Sequence, residues 1–251
     1  AFNSINWARI VAQIVYYFSA AAKLGAPSTR VSFAVPTGNF GNVFAGYAAR
    51  AMGLQVDQLV VGSNRNDILT RFFETGDMVI AEVHPTISPS MDIQVSSNFE
   101  RLLYDLAGRD GARVKDIMEG FRATGRFTAD AGVLEAARAA FSGARFDDDE
   151  TKAVIRAVYE ATGTLVDPHT AVGIAAARAR RRDPAVPMVA LATAHPAKFP
   201  DAVEDATGVR PALPERLAGL YELEERCETI ANDLGAVQRF VEDRARAKAA
   251  A

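Results

Sequence analysis

The sequence predicts an α/β fold in which helices flank a mostly parallel sheet. Three observations carry that expectation. A short apolar run, Val31-Ser32-Phe33-Ala34-Val35, is followed by a helical pattern and then by a second apolar run at residues 58–61. That is a βαβ unit, so the two strands are expected to be parallel, with a right-handed crossover. A third run, Pro187-Met188-Val189-Ala190-Leu191-Ala192, has the unbroken hydrophobicity of a buried strand.

Taken in order, the elements are expected as follows. Asn3-Ser4 precede a helical pattern of Ile5, Ala8, Ala12, Val15, Phe18 and Ala22, stopped by Gly25-Ala26-Pro27, with Ser4 as its N-cap. After the first strand, Val43, Phe44, Tyr47, Ala48 and Met52 mark a helix closed by Gly53. Asn66-Asp67 caps the next helix, which runs through Phe73. Residues 84–97 are irregular, and Asn98-Phe99 enters a helix through Leu106. Residues 114–159 read as mostly helical, punctuated by Gly120, Gly125 and Gly143. The acidic cluster Asp147-Asp148-Asp149-Glu150 suits a helix start, where carboxylates meet the positive end of the dipole, and is not expected to hold a metal. Asp167-Pro168 begins a further helix, with Asp as cap and Pro in its first position. Pro211 and Pro214 precede a last helix at residues 235–247.

Composition narrows the function. The 251 residues are 49% apolar, enough for one large core or one core with an appendage. A net charge of −3 and a pI near 5.7 argue against a nucleic-acid binder. The single cysteine, Cys227, excludes an intramolecular disulfide and suits a reducing cytoplasmic setting. The most apolar stretch, residues 10–22, is too short to span a bilayer, so no membrane partner is expected. The sequence is compatible with a monomer or a weak dimer. It opens on Ala1, and the expectation is that a longer protein has lost its front end.

Pro36-Thr37-Gly38-Asn39-Phe40-Gly41-Asn42, between the first strand and its helix, carries the chemistry. Backbone N–H groups converge at such a junction, and the helix dipole adds its positive end, so the loop is suited to a phosphate. A plain turn, with Asn39 or Asn42 capping the helix, is equally compatible. The loop is neither a Walker loop nor a dinucleotide-binding fingerprint, so a ligand would be held by its phosphate alone.

Four segments in this order go beyond a generic α/β protein: Asn3-Ser4-Ile5-Asn6-Trp7-Ala8-Arg9-Ile10; the 36–42 loop; residues 88–102, which open Ser88-Pro89-Ser90-Met91-Asp92; and Thr193-Ala194-His195-Pro196-Ala197-Lys198-Phe199. Together they resemble threonine synthases of the bacterial and fungal type, which are fold-type II pyridoxal-phosphate enzymes. The resemblance implies the large cofactor domain, incomplete, over residues 1–251, with a helical C-terminal extension and with the N-terminal segment and small domain absent. It implies pyridoxal 5′-phosphate as cofactor, its phosphate cradled by Gly38, Asn39, Phe40, Gly41 and Asn42 and its ring nitrogen faced by Thr193. It implies O-phosphohomoserine as substrate, with Ser4, Asn6 and Arg9 available for the phosphate and Asp167-Pro168-His169-Thr170 lining the site.

The implied reaction is a carbon–oxygen lyase step yielding threonine and phosphate from O-phosphohomoserine and water. His195 and Lys198 fall in the motif without a catalytic role being assigned. The family's Schiff-base lysine sits in a Phe-Lys-Asp segment upstream of the Asn-Ser-Ile-Asn helix. None of Lys23, Lys115, Lys152, Lys198 and Lys248 has that setting. No catalytic residue is therefore assigned here, and the 251 residues alone are expected to be inactive. Two alternatives are another fold-type II enzyme, such as a threonine or serine dehydratase, and a non-catalytic module that binds a phosphorylated ligand.

Overall fold

The computed structural model describes residues 6–245, which fall into two compact units divided between Ala212 and Leu213. The Ser4 assignment lies outside the described residues. In the first unit the chain runs through α1 (Trp7–Lys23), β1 (Val31–Pro36), α2 (Gly41–Ala51), β2 (Val56–Ser63), α3 (Ile68–Thr75), β3 (Asp77–Val79), α4 (Phe99–Leu106), α5 (Gly111–Thr124), β4 (Arg126–Thr128), α6 (Ala131–Ala140), β5 (Phe141–Arg145), α7 (Asp148–Thr162), α8 (Pro168–Arg180), β6 (Met188–Ala190) and α9 (Pro200–Thr207). The expected α/β architecture with a parallel sheet is what the structure has.

Four strands form one sheet in the order β5-β2-β1-β6, every pair parallel. Phe33 lies opposite Leu59 in the β1–β2 pair, Leu59 opposite Phe141 in β2–β5, and Ala34 opposite Ala190 in β1–β6. Because side chains alternate across a strand, the two faces differ. Val31, Phe33, Val35, Leu59, Val61 and Phe141 belong to the large core with α1, α2 and α3. On the other face Ala34, Val60 and Ala144 meet Ala176 of α8 in a thin layer of small side chains. The separate pair β3–β4 is antiparallel.

Two expectations are corrected here. The stretch expected to be mostly helical over residues 114–159, broken only at glycines, contains β4 and the sheet strand β5. Phe-Ser-Gly-Ala-Arg has no β-branched residue, follows α6 with no turn between, and so carries no local strand signal; its pairing with β2 decides. The buried face of α1 is also rotated from the expected one. Ile10, Ile14, Tyr17 and Ala21 are buried, whereas Ala8, Ala12 and Ala22 are exposed and Val15 is 61% exposed. With Trp7, Val11 and Tyr16 also half exposed, α1 is apolar on more than one side, and periodicity alone cannot choose the inward stripe.

Specific polar contacts fix α1 and α4 against α2. Tyr17 donates its hydroxyl to the Asn42 carbonyl at 2.8 Å, and Tyr47 donates to Asp105 at 2.6 Å. Burial and the Asp105 bond push the Tyr47 phenol up to about 12. The same bond, with Arg109, holds the Asp105 carboxyl low. At the start of α7, Asp147 and Glu150 form a reciprocal capping box, which uses part of the acidic cluster for the helix end.

The second unit holds two short 3-10 turns, Glu215–Leu217 and Leu220–Glu222, and α10 (Leu234–Arg244), capped by Asp233. Arg244 pairs with Glu228 and lies 3.9 Å over the Phe240 ring. Among the described residues no helix is long and apolar enough to cross a membrane.

Candidate functional site

A parallel sheet binds ligands beyond the carboxyl ends of its strands, where successive connections leave in opposite directions. In this sheet that point lies between β1 and β6, because the chain passes from β1 to β2 on one side and returns to β6 on the other. A cleft of about 880 Å3 opens there, lined by residues 36–42 after β1 and 191–194 after β6. Arg9, Gln13 and Tyr16 of α1, Ser90, Met91, His169 and Lys198 complete its walls. No carboxylate is among the lining residues, while Arg9 and Lys198 are cationic, so the cleft favours an anion.

The carbonyls of residues 38–40 are engaged within the protein. The Gly38 carbonyl accepts from the Ser96 hydroxyl at 2.8 Å, Asn39 O accepts from the Asn98 amide and side chain, and Phe40 O accepts from Phe44 N. The N–H groups of residues 38–42 have no acceptor among the described residues. Neither Asn39 nor Asn42 caps α2. The N-cap is Phe40, in the left-handed region at φ 63°, and no side chain caps the helix. Asn39 accepts instead from Ser97, and Asn42 lies beside the Tyr17 hydroxyl. An uncapped helix start with its amides on a cationic cleft is suited to hold a phosphate.

The wall facing this loop is built by the irregular segment before α4. Asp92 gathers Asn64 at 2.7 Å, Asn66 at 3.0 Å, the Thr86 hydroxyl at 2.7 Å and the Thr86 amide at 2.8 Å. This network fastens Ser90-Met91 to the end of β2. Ser90 then sits so near the loop that a Cβ on Gly38 would lie 2.8 Å from the Ser90 carbonyl oxygen.

Other residues expected at the site are placed as follows. Arg9 and Thr193 line the cleft. Asn6 serves as the N-cap of α1, accepting from Ala8 N at 3.0 Å. Asp167 is wholly buried and is not among the lining residues. Its carboxylate caps α8, accepting from His169 N and Thr170 N, and it also takes the Thr170 hydroxyl and, at 2.7 Å, His169 Nδ1. His169 is the member of that segment that reaches the cleft. His195 accepts from Ala197 N and so caps the short turn carrying Lys198. Gln13 and Tyr16 went unassigned in the sequence; their spacing of four and seven from Arg9 puts all three on one helical face. The Gln13 side-chain oxygen Oε1 is buried without a hydrogen-bond partner among the described residues.

Burial raises the Asp167 carboxyl, and the bonds from His169 and Thr170 more than offset it, leaving it below the usual carboxylate range. A folded-state pKa below the unfolded value of about 3.9 stabilises the fold above that pH and loses the contribution as pH falls through the folded value. The gap in urea midpoint between the wild type and Asp167→Asn should therefore shrink as pH is lowered from about 6 to about 3. A gap that does not change with pH would remove the carboxylate from this account.

Comparison with known proteins meets this geometry. The family described as "Threonine synthase, C-terminal" matches residues 170–241. The Pseudomonas aeruginosa threonine synthase is 55% identical over 242 residues, covering 96% of this chain and 52% of the relative. The chain belongs to the threonine synthase family. The Saccharomyces cerevisiae threonine synthase is 39% identical over 270 residues, covering 97% of this chain and 52% of the relative. The crystal structure of pyridoxal-phosphate-bound threonine synthase from Brucella melitensis superposes with a TM-score of 0.92 at 51% identity, covering 97% of this chain and 52% of that one. The yeast threonine synthase structure gives 0.86 at 38% identity. The chain spans about half the length of the curated relatives it matches.

Proposed function

We propose that this chain forms the cofactor-phosphate and substrate side of a threonine synthase active site, with pyridoxal 5′-phosphate as cofactor and O-phosphohomoserine as substrate. The observation that carries the reading is the set of amides at residues 38–42, left without acceptors where α2 starts on the cleft. The residues present fit the cofactor: amides for its phosphate, a hydroxyl at Thr193, and no carboxylate on the walls to repel it. When bound, the cofactor supplies an electron sink that stabilises carbanions.

The chain's own residues do the rest. Residues 38–42 hold the phosphate end, which sets where the ring lies. Thr193 would offer the ring nitrogen a neutral hydroxyl, which, unlike a carboxylate, would not favour its protonation and so would restrain the sink. Arg9, with Asn6 and Ser4 earlier on the same segment, meets the substrate's phosphate. Asp167 acts from behind the wall, through His169.

Of the lysines the structure describes, Lys152 is paired with Asp205 at 2.6 Å, Lys115 faces Glu119, and Lys198 alone lines the cleft. We place the lysine that carries the cofactor outside these 251 residues, in keeping with relatives about twice as long. Cys227 as a free thiol suits a cytoplasmic setting.

The test is pyridoxal 5′-phosphate titrated into the chain, followed by borohydride reduction and intact-mass measurement. Reversible binding with no mass gain, and no threonine formed from O-phosphohomoserine, is the expected result. A covalent adduct on Lys198 would overturn the placement of the lysine. Failure to bind the cofactor, in this chain and in the longer protein alike, would overturn the reading as a whole.

A further inference from the structure

A histidine on the wall of a cleft invites a reading as proton carrier. We propose instead that His169 is a positioning residue, locked as one neutral tautomer, that joins three walls of the cleft; the proposal rests on the cofactor reading above only for its effect on affinity.

The ring is 3% exposed and both of its nitrogens are engaged. Nδ1 lies 2.7 Å from Asp167 Oδ2, and a carboxylate held ionised can only accept, so Nδ1 carries the proton. Nε2 accepts from the Ser90 amide at 3.2 Å. A second proton on Nε2 would set two donors against each other, because an amide N–H has no lone pair to offer. Neither nitrogen is left to give a proton to a ligand or take one from it.

What the ring does instead follows from its neighbours. Through Nε2 it fixes Ser90, whose carbonyl is the atom against which Gly38 packs, and Gly38 opens the run of amides at α2. Its ring meets Phe199 at a tilt, with centroids 4.7 Å apart, and the Lys198 ammonium lies 5.7 Å from the centroid of that same phenyl ring. Through Nδ1 it is tied to the cap of α8, the helix that packs across the sheet. One imidazole thus sets the spacing between the phosphate loop, the Ser90-Met91 wall and the turn bearing Lys198.

Two variants separate this role from proton transfer and from simple bulk. His169→Gln can still present an oxygen to the Ser90 amide, whereas His169→Phe keeps a ring against Phe199 and presents no acceptor. In the 251-residue chain, hydrogen exchange at the Ser90 amide should speed up about tenfold or more in His169→Phe and stay near wild type in His169→Gln. Pyridoxal 5′-phosphate affinity should follow the same order, about tenfold weaker for Phe and little changed for Gln. Long-range nitrogen–proton NMR of the wild type should show the proton on Nδ1.

A proton on Nε2 would overturn the proposal. So would equal losses in the two variants, since then the acceptor at this position is not what matters. Should the wild type fail to bind the cofactor, the functional reading falls, while Ser90 exchange and the tautomer still decide the role of His169.

Discussion

Gly38→Ala should weaken pyridoxal 5′-phosphate binding by at least about tenfold and destabilise the fold by about 1–3 kcal/mol, the range for overfilling a packed site. The added Cβ would stand 2.8 Å from Ser90 O and 3.2 Å from Met91 Cα, both backbone atoms that cannot swing aside. Relief requires the 88–91 segment and the phosphate loop to part. The first is pinned by Asp92 and by His169, and the second by the Ser96 and Asn98 bonds to its carbonyls. The strain therefore falls on the amides that would hold the phosphate. Gly120→Ala is the control: a Cβ there meets nothing within 4 Å, and it sits inside α5. That variant should gain roughly 0.5–1 kcal/mol from helix propensity and leave cofactor affinity untouched. If Gly38→Ala binds as tightly as Gly120→Ala, the packing of loop on wall does not control the site.

Much of this site was legible in the sequence because it is written in local signals. Pro36, Gly38 and Gly41 break the strand and open a helix, and an anion site at a helix start needs only the backbone. The reason for Gly38 was not legible. Its lack of a Cβ makes room for Ser90, fifty-two positions along the chain, a contact only the tertiary fold can reveal. Asp167 shows a similar limit. The Asp-Pro step announced a cap, and the structure has one; that the same carboxylate is spent on His169, and so lies behind the cleft wall, depends on how α8 meets the Ser90 segment. Strand β5 was invisible for the opposite reason. Its residues have weak intrinsic preference, and Gly143 is small because a Cβ there would strike Thr70 Cα at 2.9 Å.

Phe40→Ala should be among the most damaging single changes, destabilising by about 3–5 kcal/mol as expected for truncating a buried phenyl ring. For a chain of this size that is a fall in Tm on the order of 10 °C. The ring is 1% exposed and lies between Phe99 and Phe141, with centroids 5.3 Å from each, so its loss opens a void joining α2, α4 and β5. It is also one of only two non-glycine residues among those described with a positive φ.

The left-handed backbone at Phe40 costs an L-residue about 1–2 kcal/mol relative to the right-handed form, and here the aromatic contacts offset it. That division of roles makes a signed prediction. Phe40→Gly removes one carbon more than Phe40→Ala, yet it relieves the backbone, so it should be no less stable than alanine and up to about 1 kcal/mol more stable. Were only packing at stake, glycine would be the worse of the two. Chemical denaturation of the three proteins reads the order directly. Glycine falling clearly below alanine would mean that the left-handed turn at the head of α2 is not what this aromatic cluster holds in place.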